Sequence, residues 1–139
     1  MAEYMTTAVW KQDRRYDNEV ADFSIAVDFD RKTAPSAGQM LLVSLASCKL
    51  VSLLDLRSKH GMDIEHAEIE VRGVTGKGER IEGTRYPSFR FLRIDYVFKV
   101  RTDHTDDELW AYLKFVNGAC TVGNTISGQV EQNYSFQRI

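Results

Sequence analysis

The segment AGQMLLVSLASCKLVSLLDLRSKHG, which follows Pro35, contains no proline and is apolar on nearly every side between Met40 and Leu54. Such a run predicts a long central helix, because apolar residues recur at helical spacing with almost no polar face left over. Ser36 with Gln39 three residues later marks its start, each side chain placed to satisfy the other's free backbone N–H. Gly61 after Lys59 and His60 marks its end, with cations at the negative end of the helix dipole. A helix apolar on most sides must be covered on most sides. In a chain of 139 residues this calls for packing between a sheet and either a second helix or a second subunit.

The remainder reads as strands and one shorter helix. Residues 4–28 predict two strands joined by a polar turn. In the second, Phe23, Ile25, Val27 and Phe29 recur at every other position, and the opening run YMTTAVWK is rich in β-branched and aromatic residues. The charged stretch Gln12 to Asn18 is the expected hairpin connection, with Arg14 and Arg15 at its tip. Beyond the helix, Ile69 and Val71 alternate with charged residues, and Gly73 to Gly83 reads as a mobile glycine-rich turn. From Ser88 to Val100 the chain is β again, with Ile94, Tyr96, Phe98 and Val100 on one face. Phe89 and Phe91 are out of phase with that set, which places a bulge near Leu92. Thr105 and Glu108 form a second capping box for a helix carrying Leu109, Leu113 and Val116, closed by Asn117 and Gly118. A half-exposed strand with Val130, Tyr134 and Phe136 follows. The order β-β-α-β-β-α-β, with short turns between consecutive strands, predicts antiparallel sheets in an α+β fold and one domain over residues 1–139.

Composition narrows the functional classes. With 43% apolar residues and two prolines, the chain can bury roughly two thirds of its unfolded surface, which excludes disorder. Eighteen basic against twenty acidic residues give a net charge of −2, without the basic footprint on which nucleic-acid affinity rests. No stretch reaches the roughly 18 uninterrupted apolar residues of a membrane span, and MAEYMTTAVW lacks the marks of a signal peptide. A soluble, cytoplasmic protein is expected. Two cysteines are too few for a disulfide scaffold.

Cys48 lies midway along the central helix and Cys120 just beyond the second helix, neither in a CxxC spacing. They read either as buried thiols used as small apolar fillers or as a reactive pair that meets in space. In the second case a thiolate at Cys48 attacks an electrophile and Cys120 then closes a disulfide. A reactive thiolate needs a cation or a helix N-terminus, and a mid-helix position offers neither dipole end. An arginine brought from elsewhere answers that need, with Arg14 and Arg15 as candidates and Arg31 as a third. The same arginines equally suit an ordinary solvated turn. His60, His66 and His104 show no metal-ligand spacing and read as capping or solvent-facing residues. Gly73, Gly76, Lys77 and Gly78 lack the spacing of a phosphate loop. No cofactor or metal is expected.

The segment GQMLLVSLASCKLVSLLDLRSKHGMDIEHAEIEVRG, with CTVGNTISG and the element order around them, resembles the OsmC/Ohr family. Pro35, Leu41, Leu42, Ala46, Cys48, Gly61, Ile64, Val71, Gly73, Cys120, Thr125 and Gly128 fall where that pattern wants them, over roughly residues 20–139. The resemblance implies an intertwined homodimer with two active sites at the subunit interface and thiol-dependent reduction of organic hydroperoxides. It assigns Cys48 as the peroxidatic cysteine and Cys120 as the resolving one. It gives Arg15 or Arg14 the stabilisation of thiolate and peroxide, and a dithiol, such as a dihydrolipoyl group, the role of reductant. Two departures stand out. Gly38 and Gln39 occupy the positions where family members carry an acidic residue holding the arginine, and Gln39 can offer only a neutral amide oxygen. Thr121 stands where a proline usually follows the second cysteine. Both place the chain among divergent OsmC-like proteins. The competing expectation is a non-catalytic binding or redox-sensing protein holding a small apolar ligand in the dimer cleft.

Overall fold

The computed structural model describes all 139 residues, which form two compact units, Met1–Val43 and Ser44–Ile139. The first unit carries a three-stranded antiparallel sheet in the order β1 (Thr7–Gln12), β2 (Arg15–Val20), β3 (Phe23–Asp28). Three strands replace the two expected, because much of the presumed connection Gln12 to Asn18 is itself the middle strand. Two tight reversals make this possible, with Asp13 at φ 48° and Ala21 at φ 52°. β2 is held by ladder bonds on both edges, so its polar residues need no apolar alternation to stay extended. Past β3, the Asp28 carboxylate accepts from the N–H of Asp30, Lys32 and Thr33 and from the Thr33 hydroxyl. These donors, that of the Thr33 backbone foremost, hold the carboxyl below the usual range.

Helix α1 (Ala37–Leu56) begins at the predicted capping box. The Ser36 N–H donates to Gln39 Oε1 at 2.9 Å, and the Gln39 N–H donates to Ser36 Oγ at 3.3 Å. The α-helix stops before the expected Gly61. A single 3-10 turn, Ser58–His60, intervenes, and Gly61 then closes it at φ 63°, its N–H reaching the Ser58 carbonyl. By length and composition alone α1 could cross a bilayer. Counting uninterrupted apolar residues misses this, because Lys49 and Asp55 break the run.

In the second unit, β4 (His66–Arg80), β5 (Pro87–Arg101) and β6 (Glu131–Arg138) form a sheet with β5 in the middle. Ile94, Tyr96, Phe98 and Val100 are buried as the alternation predicts. Leu92 is the bulged residue: Val74 pairs with Arg93 and Thr75 with Phe91, leaving it without a partner. The mobile glycine turn is not observed, because β4 runs through Gly73, Gly76 and Gly78 to Arg80. A Cβ at Gly76 would lie 2.5 Å from Leu92 Cδ1, and one at Gly78 would lie 2.7 Å from Ser88 Oγ. These glycines therefore make room for side chains of β5.

Helix α2 (Asp106–Ala119) starts at Thr105, whose hydroxyl accepts from the Glu108 N–H at 3.2 Å, and it buries Leu109, Tyr112, Leu113 and Val116. It runs through Asn117 and Gly118 and ends at Cys120, which also opens a short helix, α3 (Thr121–Ile126). The two helices carry the chain across the sheet, so β6 pairs parallel with β5. This one pairing departs from the antiparallel expectation, and α3 adds an element the sequence pattern does not separate from the loop.

Candidate functional site

Within the second unit the fold gathers residues from α1, β5, α2, α3 and β6 around two sulfur atoms. On α1, Leu45, Lys49 and Leu53 recur every fourth residue and are the buried side chains of the helix. Cys48, next to Lys49, is partly buried, and Cys120 is fully buried at the junction of α2 and α3. Both thiols are free, and Cys48 lies close enough to act on the ionisation of Cys120. The sequence thus brings together two cysteines from opposite halves of the unit. The Gly123 N–H donates to Cys120 Sγ at 3.3 Å.

A cation stands beside the pair, and it is not an arginine. Lys49 is only 2% exposed, and its Nζ donates to Asn117 Oδ1 at 2.6 Å and lies 4.4 Å from the centre of the Tyr96 ring. Asn117 does not close α2 as expected: its Nδ2 donates back to the Leu113 carbonyl, which aims the amide oxygen at the lysine. Burial pulls the Lys49 ammonium below its ordinary value, while charge on Cys120 or Cys48 pulls it back up. The Cys120 thiol shifts the other way. Burial raises it and Cys48 adds to the rise, against the lowering effects of the Gly123 N–H and Lys49. Gly123 sits between the two groups, where a Cβ would lie 3.2 Å from Lys49 Nζ and 3.3 Å from Cys120 Sγ.

A second layer of polar groups fixes this arrangement. The Tyr96 hydroxyl donates to Gln132 Oε1 at 2.6 Å, and Gln132 Nε2 donates to the Gly123 carbonyl at 3.3 Å. Burial raises the Tyr96 phenol, so it stays protonated and donates. A cavity of about 170 Å³ opens beside these groups, lined by Tyr96, Asn117, Gly123, Asn124, Ser127 and Gln132. Lys49 is not among the residues singled out from the sequence, although a lysine in the middle of an apolar stripe and adjacent to a cysteine is a readable signal.

The other candidates lie in the first unit. Arg14 pairs with Asp30 at 3.1 Å and stacks its guanidinium 3.6 Å from the centre of the Phe29 ring. Arg15 donates to Thr33 Oγ1 at 2.7 Å and lies 3.8 Å from Asp17. Both line a cleft of about 710 Å³ with Asp28, Asp30 and Lys32. Gln39 is engaged in the α1 capping box, and Arg31 holds a left-handed turn at φ 59°. Among the histidines, His104 accepts from the Asp63 N–H and contacts Glu108, and His60 lies against Phe115.

Solved structures share this fold over nearly the whole chain. An OsmC-like protein from Mycoplasma pneumoniae superposes with a TM-score of 0.85 at 21% identity, covering 99% of this chain and 98% of that one. An OsmC-like protein of unknown function from Vibrio cholerae gives 0.80 at 14% identity, with 99% and 100% covered. An organic hydroperoxide resistance protein OsmC from Legionella pneumophila, also described as a predicted redox protein, gives 0.76 at 17% identity, with 99% of each chain covered. Comparison with curated protein sequences finds no match. Residues 29–135 match the family model described as OsmC-like protein, and this chain belongs to that family.

Proposed function

We propose that the protein is a thiol-dependent peroxidase that reduces organic hydroperoxides in oxidative or osmotic stress defence, working as a homodimer in the cytoplasm. The observation that carries the proposal is the meeting of Cys120 with the Cys48–Lys49 step of α1: Lys49 Nζ and Cys120 Sγ crowd the same point over Gly123, at 3.2 and 3.3 Å, and Cys48 acts on the Cys120 thiol, which favours a disulfide between the two cysteines. In the first step the Cys48 thiolate attacks the distal peroxide oxygen. An S–O bond forms, the O–O bond breaks, and the alcohol leaves with a proton. Cys120 then displaces the sulfenic oxygen as water, and a dithiol restores both thiols by exchange. Val43 and Val51 on α1 are 50% and 56% exposed in the single chain, which favours burial against a second copy and an alkyl substrate over hydrogen peroxide. The parts given to Arg14, Arg15 and Gln39 rest on the family resemblance alone.

The test is peroxide consumption with tert-butyl hydroperoxide and dithiothreitol. Wild-type protein should consume the peroxide catalytically and Cys48→Ser should not; equal consumption by both would remove Cys48 from the chemistry. A second reading, an apolar-ligand binder, is favoured by a groove of about 440 Å³ in the first unit, lined by Tyr4, Met5, Val20, Ile25, Val27 and Met40. One equivalent of peroxide separates the two. The peroxidase loses two hydrogens by intact-protein mass spectrometry, whereas the binder keeps both thiols.

A further inference from the structure

We propose that Lys49 is the proton carrier of the disulfide-forming step, taking the Cys120 proton and delivering it to the oxygen that leaves Cys48. The inference rests on the peroxidase reading above and assigns the cation that acts inside the sulfur site.

The geometry selects Lys49. Its Nζ is pinned between the Asn117 amide oxygen at 2.6 Å and the Tyr96 ring at 4.4 Å, and it shares the space over Gly123 with Cys120 Sγ. The titratable groups facing it are Cys48 on its own helix, Cys120 from the end of α2, and the Tyr96 phenol on β5. A lysine 2% exposed, in the buried stripe of α1 between Leu45 and Leu53, is costly to keep charged. Burial lowers the ammonium and raises the Cys120 thiol, so the affinities of the two groups for one proton converge. Set over the same glycine, the two groups are placed to exchange a proton.

The step balances as follows. In the reacting form the proton of the Cys120 thiol is carried on Lys49, so that a thiolate stands beside an ammonium. The thiolate electron pair forms the S–S bond with the Cys48 sulfur, and the S–O bond of the sulfenic acid breaks with its pair going to oxygen. That oxygen keeps its own hydrogen, receives the proton from Lys49 and departs as water. Cys120 is oxidised, Cys48 is reduced from sulfenic acid to disulfide, and Lys49 is left neutral by the proton it has given up. The oxidant is the sulfenic acid left by the hydroperoxide.

The test is stopped-flow measurement of disulfide formation after one equivalent of tert-butyl hydroperoxide, with dimedone trapping of the sulfenic acid. Lys49→Met should form the Cys48–Cys120 disulfide on the order of 10²-fold more slowly and accumulate the trapped adduct. Lys49→Gln keeps a donor for Asn117 without a titratable nitrogen, and should be slowed alike. Lys49→Arg keeps the charge but not the exchangeable proton and should not restore the rate. In wild-type protein the rate should pass through a maximum with pH, since thiolate and ammonium are both needed; a rate that keeps climbing through ionisation of Cys120 overturns the proposal even without a variant. Disulfide formation at the wild-type rate and pH profile in Lys49→Met also overturns it and leaves the peroxidase reading standing. Wild-type protein that forms no disulfide at all overturns the peroxidase reading itself.

Discussion

Lys49→Met should change how stability responds to pH, independently of any peroxide chemistry. The wild-type ammonium gives up its hydration for one hydrogen bond to Asn117 at 2.6 Å and one aromatic face at 4.4 Å. A charged hydrogen bond contributes about 1.5–3 kcal/mol and a desolvated cation–π contact about 2 kcal/mol, against a desolvation penalty of several kcal/mol per ion. The downward shift of Lys49 says that desolvation wins. In the window between its lowered folded value and the ordinary value of 10.5, the unfolded chain binds more protons than the folded one. Stability therefore rises with pH there, by at most about 1.4 kcal/mol per pH unit, and is flat on either side. Methionine removes that slope. Its advantage is greatest below that window, and by about pH 10.5 only the orphaned Asn117 oxygen remains, a loss of about 1–3 kcal/mol. Cys120, raised by burial, acts in the opposite direction, its stabilising contribution being lost as pH rises past the ordinary thiol value of 9.0. Pairing each protein with Cys120→Ser separates the two, and the serine oxygen keeps an acceptor for the Gly123 N–H. The assay is urea denaturation at stepped pH under a phosphine reductant. A free-energy difference between wild type and Lys49→Met that stays constant across the window would refute the assignment of Lys49 as a desolvated cation.

Gly123→Ala should destabilise the protein by about 1–3 kcal/mol in the same assay, because the new methyl meets Lys49 Nζ at 3.2 Å and Cys120 Sγ at 3.3 Å, and the lysine is too well held to yield; unchanged stability would mean that the lysine moves freely. Tyr112→Phe removes the buried hydroxyl's hydrogen bond to the Leu53 carbonyl, a loss of about 0.5–1.5 kcal/mol on denaturation, whereas an effect below about 0.3 kcal/mol would contradict it. Asp28, held below its ordinary value of 3.8, contributes stability above that pH which is lost as pH falls through its folded value. Asp28→Asn should weaken amide protection at Lys32 and Thr33 at neutral pH, and identical hydrogen exchange in the variant would exclude the carboxylate as the organiser of that loop.

Features that announce themselves within a few residues were legible in the sequence. The capping boxes at Ser36 and Thr105, the buried alternation of Ile94 to Val100, and the bulge at Leu92 all follow from local spacing. What escaped depends on a partner strand or a crossover. β2 is stabilised by neighbours on both edges instead of by an apolar face, and Gly76 and Gly78 belong to a strand because Leu92 and Ser88 cross above them. The parallel placement of β6 requires knowing that α2 and α3 carry the chain over the sheet. At the candidate site, both cysteines could be named from context, but their proximity and the lysine held beside them exist only once α1, β5 and α2 meet.

Gln132 ties Tyr96 to Gly123 from a strand that follows every other member of the sulfur site in sequence. Translation therefore delivers Cys48 and Lys49 to the folding chain well before the clasp that holds Tyr96 and Gly123 in place. Until β6 docks, Tyr96 and Gly123 lack the tie through Gln132, so the sulfur site is fastened by the strand that reaches the folding chain after all its other parts.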